Sequence, residues 1–358
     1  MSFFTTRRTR VATSVAALAL SALALSACSG SSDASSSASG DSDGAGKTDL
    51  TVQLSWIKNE EFCGEYFAET NGYYDEAGLG DVTLVPGPST STTELISGTA
   101  DIGLSDAVAA GTVIANEGAP LKIIGTTFQK NPFTILSLKD GGNIATIDDL
   151  KGKKIGVQDS NTSLVMAFLA ANGLTADDVT IVPVQYDPAP LINGEVDGFT
   201  AYLTNESIIV ENEGYEVTNL PLADNGLPFP AETFLATDDM IKNNPEAIKA
   251  FLKSEIQGWS AAINDPEECA RLAYEDFGAD LDLNPETSTA GAKAQLEQLV
   301  VSDETVENGI FTISDELKDA TVESLADAGI VVTADQLFDT SLLEEVYAEN
   351  PDLIAYAK

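Results

Sequence analysis

The sequence contains no histidine, and beyond residue 27 it carries one arginine, Arg271. Without imidazole, a Ser-His-Asp triad, a histidine general base and a histidine-based zinc site are all excluded. With one arginine left, the planar two-pronged donor that usually clamps a carboxylate, sulfonate or phosphate is nearly absent. The inventory therefore favours a neutral or weakly cationic small molecule over an anion. Cysteine is scarce as well: the chain has Cys28, Cys63 and Cys269. Cys63 and Cys269 are either two buried free thiols or a bridged pair, because nothing in a sequence sets their separation in space. Positive charge is the third shortage. Against 57 acidic residues stand 18 lysines and arginines, a formal net charge of -39. Such a surface repels nucleic acid and anionic lipid headgroups, and solubility or life in salt explains it more simply than an acidic patch with a function.

What is present divides into three textures. Residues 1–27 begin with Arg7, Arg8 and Arg10, continue as a charge-free run from Val11 to Ala27, and end Leu25-Ser26-Ala27 before Cys28. That layout reads as a secretory signal with a bacterial lipobox, and the run is short of the ~20 residues a membrane span needs. Cleavage before Cys28 would remove three positive charges, taking -39 to -42, and leave a lipidated (diacylglycerol- and palmitate-bearing) cysteine as the one membrane contact. Residues 28–47 are a Ser/Gly/Asp tether with nothing to bury. The expected location is extracytoplasmic, anchored to the outer face of a bacterial cell membrane. The remainder is 43% hydrophobic across the whole chain, enough for two modest lobes with cores.

From Asp49 onward, strand patterns alternate with helix patterns, which predicts α/β lobes of parallel sheets with helical crossovers. Strands are expected at 51–55, 81–86, 101–104 and 121–127, then at 153–158, 179–184 and 196–201. Helices are expected at 60–71, 91–97, 106–116, 163–171 and 188–193. From Ala231 the texture turns helical, with Asn244-Pro245 opening a long helix to about 262 and further helices at 286–300, 314–328 and 341–348. An internal echo supports two lobes of like construction: Leu95-Ile96-Ser97-Gly98-Thr99-Ala100-Asp101 recurs as Leu191-Ile192-Asn193-Gly194-Glu195-Val196-Asp197.

The chain is organised around the stretch from Leu54 to Leu79. A strand delivers Trp56 at its carboxyl end, Asn59 is placed to cap the following helix, and Phe62 and Tyr66 lie one turn apart on it. Its pattern, Trp56-x-x-Asn59-x-x-x-x-Gly64-x-Tyr66-x-Ala68 followed by Gly72-Tyr73-Tyr74-x-x-Ala77-Gly78-Leu79, resembles the opening of the NMT1/THI5-like substrate-binding proteins of ABC importers. The resemblance implies a type II periplasmic-binding-protein fold, two α/β lobes joined by two hinge crossings. The crossings fall near Asn131-Pro132-Phe133 and Leu227-Pro228-Phe229-Pro230, which gives lobe 1 as 48–132 with 231–358 and lobe 2 as 133–230. It implies a monomeric, non-enzymatic receptor working with an ABC permease and ATPase, without cofactor or metal and without nucleic acid. Pyrimidine-binding members often carry a histidine in this helix; here the neighbourhood reads Glu61-Phe62-Cys63. The reading as a yeast-type relative, which makes the thiamine pyrimidine from its own histidine and a pyridoxal cofactor, is disfavoured by the same absence.

In open α/β sheets, ligands sit beyond the carboxyl ends of the strands, and with two lobes the cleft between them is the default site. That rule selects Trp56, Asn59, Phe62, Tyr66, Ser89, Thr90, Ser105, Asp106, Phe128 and Asn131 from lobe 1. From lobe 2 it selects Asp159, Ser160, Asn161, Thr162, Tyr186, Asp187, Tyr202, Asn205 and Glu206. Each has a plain structural alternative: core packing for the aromatics, helix capping for Asn59 and for Asp159 to Thr162. Glu206 matches an acidic position that pyrimidine-binding relatives place after the same strand. The expected ligand is a heteroaromatic ring of the thiamine-pyrimidine or flavin kind, held by stacking and by hydrogen bonds to carboxylates and amides. The alternatives are a sulfonate- or nitrate-type anion on the same scaffold, or recognition of a protein by a surface lipoprotein.

Overall fold

The computed structural model describes residues 47–356. The leader, most of the tether and the proposed lipid site at Cys28 lie outside them. No described helix is long and apolar enough to cross a membrane.

Two five-stranded sheets each anchor a lobe. The first has the order β2-β1-β3-β10-β4, with β1 Thr48–Gln53, β2 Leu79–Val85, β3 Ile102–Asp106, β4 Leu121–Phe128 and β10 Ala231–Thr237. The second has the order β7-β6-β8-β5-β9, with β5 Phe133–Leu138, β6 Lys154–Val157, β7 Thr180–Pro183, β8 Gly198–Tyr202 and β9 Val217–Pro221. The two orders are the same construction written twice. The chain leaves the first sheet after Phe128, enters the second at Phe133, leaves it after Pro221 and returns at Ala231.

Each sheet is mixed rather than parallel, which corrects the expectation. β10 runs antiparallel to β3 and β4, and β5 runs antiparallel to β8 and β9. These strands start directly after a crossing rather than after a helical return, so they arrive from the opposite edge. β5, β9 and β10 have no counterpart in the strands expected from sequence. β5 and β10 are buried on both faces and do not alternate, so their period-2 signal is lost.

The internal echo has a structural meaning. Gly98 and Gly194 end their helices with φ of 72° and 71°, the left-handed turn that glycine adopts without a Cβ clash. Three residues on, Asp101 accepts from the Thr51 amide at 2.8 Å, and Asp197 accepts from the Lys154 amide at 2.8 Å. In both lobes an aspartate thus ties the start of the central strand, β3 or β8, to its neighbour β1 or β6.

The quoted motif is mostly packing. The helix Cys63–Thr70 crosses the long helix Pro245–Asn264 so closely that a Cβ on Gly64 would sit inside the Trp259 indole. Tyr66 stacks on Phe277 with centroids 4.2 Å apart. Cys63 is disulfide-bonded to Cys269 on the helix Pro266–Arg271, with Cα atoms 5.1 Å apart, which decides between the two states the sequence left open.

Asn131 straps the two crossings together. Its amide donates to the Leu227 carbonyl at 2.8 Å, and its side-chain oxygen accepts from the Phe133 amide at 2.9 Å. Asn131→Ala leaves both backbone groups unpaired in a buried place and should lower the unfolding free energy by about 1–3 kcal/mol, read by urea titration. An unchanged midpoint would show that the strap carries no energy.

Candidate functional site

Trp56 lines two cavities between the lobes. The inner one, about 40 Å³, is bounded by Ser55, Trp56, Glu61, Ser105, Asp106 and Glu232 from the first lobe and by Phe133, Asn161, Thr200, Tyr202 and Glu206 from the second. The outer one, about 270 Å³, has Trp56, Asn59, Glu60 and Leu283 on one side and Tyr186, Asp187, Asn205 and Ile209 on the other. Trp56 is 9% exposed and is the wall they share.

The residues selected by the strand-end rule fall into three sets. Trp56, Ser89, Thr90, Ser105, Asp106, Ser160, Asn161, Tyr202 and Glu206 line the inner cavity. Asn59, Tyr186, Asp187 and Asn205 line the outer one. Phe62, Tyr66, Phe128, Asn131, Asp159 and Thr162 line neither. Phe62, Tyr66 and Phe128 are fully buried in the lobe core, where the sheet side of the helix and strand directs them. Asn131 is the hinge strap, and Asp159 and Thr162 point into solvent around the start of the helix Thr162–Ala171.

Ser55, Glu61, Phe133, Thr200, Ala201 and Glu232 also line the inner cavity and are absent from that selection. Phe133 and Glu232 are instructive. They open the antiparallel strands β5 and β10, and an antiparallel strand begins at the edge where its parallel neighbours end. Looking only after strands misses them; the X-Pro-Phe segments that precede both were the available signal.

Glu232 bridges the lobes. Its Oε2 accepts from the Ser55 hydroxyl at 2.8 Å and its Oε1 accepts from the Tyr202 hydroxyl at 2.9 Å. Its backbone is left-handed, φ 46°, in a buried non-glycine residue, a conformation that costs energy and persists where the surroundings impose it. Tyr202 is held edge-on by Phe133, with centroids 4.5 Å apart. A second bridge runs at the outer cavity, where the Asn205 amide donates to Glu60 Oε1 at 2.8 Å.

Several polar residues are already committed. Asp106 accepts from the Val108 and Ala109 amides at 2.7 and 2.9 Å as the cap of the helix Ala107–Glu117. Asn59 accepts from the Glu61 amide at 3.2 Å, so its cap role is real and it also faces the outer cavity. Glu206 accepts from the Tyr202 amide at 2.8 Å.

The electrostatics are one-sided. Glu61, Asp106, Glu206 and Glu232 line the inner cavity and Glu60 the outer, with no lysine or arginine lining either. Burial pushes the carboxyls of Glu60, Glu206 and Glu232 up to about 7. Burial, with Glu232, Glu206 and Glu60 close by, raises Glu61 well above the usual range. Burial disfavours the charged form of each, and no lysine or arginine lining the cavities offsets it.

A family model described as NMT1/THI5 like matches residues 59–269. Among curated proteins, the riboflavin-binding protein RibY of Chloroflexus aurantiacus is 24% identical over 233 residues, 63% of this chain and 66% of that protein. The 4-amino-5-hydroxymethyl-2-methylpyrimidine phosphate synthase of Schizosaccharomyces pombe is 28% identical over 232 residues, 61% of this chain and 66% of that protein. The match spans just under two thirds of each relative. Among solved structures, the periplasmic aliphatic sulphonate-binding protein SsuA of Escherichia coli superposes with a TM-score of 0.59 at 18% identity, covering 81% of this chain and 92% of that one. The periplasmic nitrate-binding protein NrtA of Synechocystis PCC 6803 superposes with a TM-score of 0.60 at 17% identity, covering 86% and 91%. The fold is that of the periplasmic binding proteins, and the chain belongs to the NMT1/THI5-like family.

Proposed function

We propose that this protein is the extracytoplasmic solute-binding component of an ABC importer, not an enzyme. In this reading lobe 1 (48–132 with 231–358) and lobe 2 (133–230) close on a small heteroaromatic ligand of the thiamine-pyrimidine or riboflavin kind. The observation that carries it is Trp56: an indole shared by two inter-lobe cavities, with Tyr202, Phe133 and a set of carboxylates and amides around it. RibY, named as a riboflavin-binding protein, supports the ligand class. The inner cavity is far smaller than the ~300 Å³ at the lower end of ligand pockets, so a ring enters only when the lobes part or Trp56 swings and the two cavities merge. The synthases among the relatives do not carry over, because the histidine on which that chemistry depends in the resembling enzymes is missing from this chain.

An anion of the sulfonate or nitrate kind is disfavoured by the same walls, which offer carboxylates and no cationic side chain. A screen by thermal shift and calorimetry decides between them. Saturable binding of riboflavin or an aminopyrimidine is expected, and saturable binding of taurine or nitrate with neither ring compound would overturn the assignment. Trp56→Ala should weaken ring binding tenfold or more. Because Trp56 is nine-tenths buried, the alanine variant should also melt lower; Trp56→Phe should keep the fold and part of the affinity. Full affinity in both variants would remove Trp56 from the site.

A further inference from the structure

We propose that the inner cavity takes a ligand bearing a positive charge, a protonated amine or a cationic ring nitrogen, and that Glu232 is the carboxylate that receives it. The inference rests on the cleft being the ligand site and adds what charge the ligand carries there.

Four acids, Glu61, Asp106, Glu206 and Glu232, come from both lobes to one small space. Asp106 is spent on two backbone amides and Glu206 on one. Glu232 is different: it takes two hydroxyl donors, one from each lobe, and each of its oxygens keeps a further lone pair. Hydroxyls orient a carboxylate without neutralising it. Among the described residues no lysine or arginine lines the cavity, so a positive charge on the ligand would pair with Glu232 in place of a proton. A separate observation marks the same wall as built for contact: Thr200 is 1% exposed, lines the cavity beside Tyr202, and its hydroxyl has no partner among the described residues. A buried hydroxyl without a partner is costly unless something completes it. It can accept from an N–H of the ligand while Glu232 takes the charge.

The groups that face Glu232 are Glu61 on the turn Glu60–Phe62, Asp106 at the end of β3, and Tyr202 at the end of β8 with Glu206 four residues on. All are acidic or neutral, so a bound cation relieves repulsion among them as well as pairing with Glu232. Glu232, left-handed at its backbone, accepts from the Tyr202 hydroxyl of the other lobe. The same carboxylate therefore senses lobe closure through Tyr202 and the ligand's charge directly.

Calorimetry with charge-matched probes on the mature protein tests this. 1-Methylnicotinamide and nicotinamide present the same ring with and without a fixed positive charge, and choline presents the charge without a ring. The expected result is at least tenfold tighter binding of 1-methylnicotinamide than of nicotinamide, lost in Glu232→Gln. That variant removes a buried charge and no volume, so its melting point should hold or rise; Tyr202→Phe, which leaves the carboxylate in place, should keep the charge preference. Equal or tighter binding of the neutral ring, unchanged in Glu232→Gln, would overturn the inference and leave the heteroaromatic reading standing. Choline binding without either ring compound would do the reverse.

Discussion

Removing the Cys63–Cys269 bridge, by reduction or as the double alanine variant, is expected to lower the unfolding free energy by about 4 kcal/mol. At roughly 2–4 °C per kcal/mol for chains of this order, that is a fall of about 10 °C in melting temperature. The reason is topological. The bridge joins residues separated by 206 positions, so it encloses most of the described chain, including the whole second lobe. Cross-linking so distant a pair removes a large share of the unfolded chain's freedom. In the folded lobe both sulfurs are buried where the helices Cys63–Thr70 and Pro266–Arg271 meet, so alanine leaves a small cavity as well. Urea titration of the native, reduced and variant proteins measures it. Coincident curves with and without reductant would show that the two helices are held by packing alone. The bridge also fits a location outside the cytoplasm, where thiols oxidise.

Stability should also fall as pH rises from about 5 through about 8. The cause lies behind the site, where the helix carrying Glu61 continues to Glu65 and faces Glu255 on the long helix. Glu65 has no hydrogen-bond partner at either carboxylate oxygen, and Glu255 Oε1 is taken by the Tyr74 hydroxyl while Oε2 is free. Among the described residues, no lysine or arginine is paired with either. Burial holds Glu255 up at about 8, and burial with Glu255 alongside raises Glu65 well above the usual range. In the unfolded chain both titrate near the ordinary glutamate value. The folded state therefore holds protons that the unfolded state has lost, and stability declines with pH across that interval. For Glu255 alone, moving from 4.5 to about 8 corresponds to a loss on the order of 5 kcal/mol, at about 1.4 kcal/mol per unit. Glu60, Glu206 and Glu232 add to the slope up to about 7. Thermal melts from pH 5 to 9 measure it, and Glu255→Gln should flatten the upper part of the decline. A melting temperature that stays level or rises between pH 6 and 8 would refute the account.

Apart from β5, the alternation of strands and helices up to Tyr202 was readable because each boundary is a local matter. Asn59, Asp106 and Asn284 cap their helices with their own side chains, Pro245 opens the long helix, and Gly98 and Gly194 close theirs with left-handed turns. The repeated Gly-x-x-Asp reported a tie that the fold makes twice. Reading the motif helix as a ligand wall went too far for Phe62 and Tyr66. Gly64 serves the crossing with the long helix and Tyr66 the stack on Phe277, and the sequence of one helix does not say which neighbours it meets.

By itself, the order of residues determined the fold class, the doubling of the lobes, the shortage of cationic donors and the place of Trp56 at a strand end, all properties of short segments or of composition. Only the folded chain decided the antiparallel strands after each crossing, the bridge between Cys63 and Cys269, and the meeting of Glu61, Glu206 and Glu232 around one cavity. Those depend on contacts between residues tens to hundreds of positions apart. Backbone dihedrals and capping are set by near neighbours along the chain, whereas the partner across a cleft is set by how two sheets and two hinge crossings pack in space.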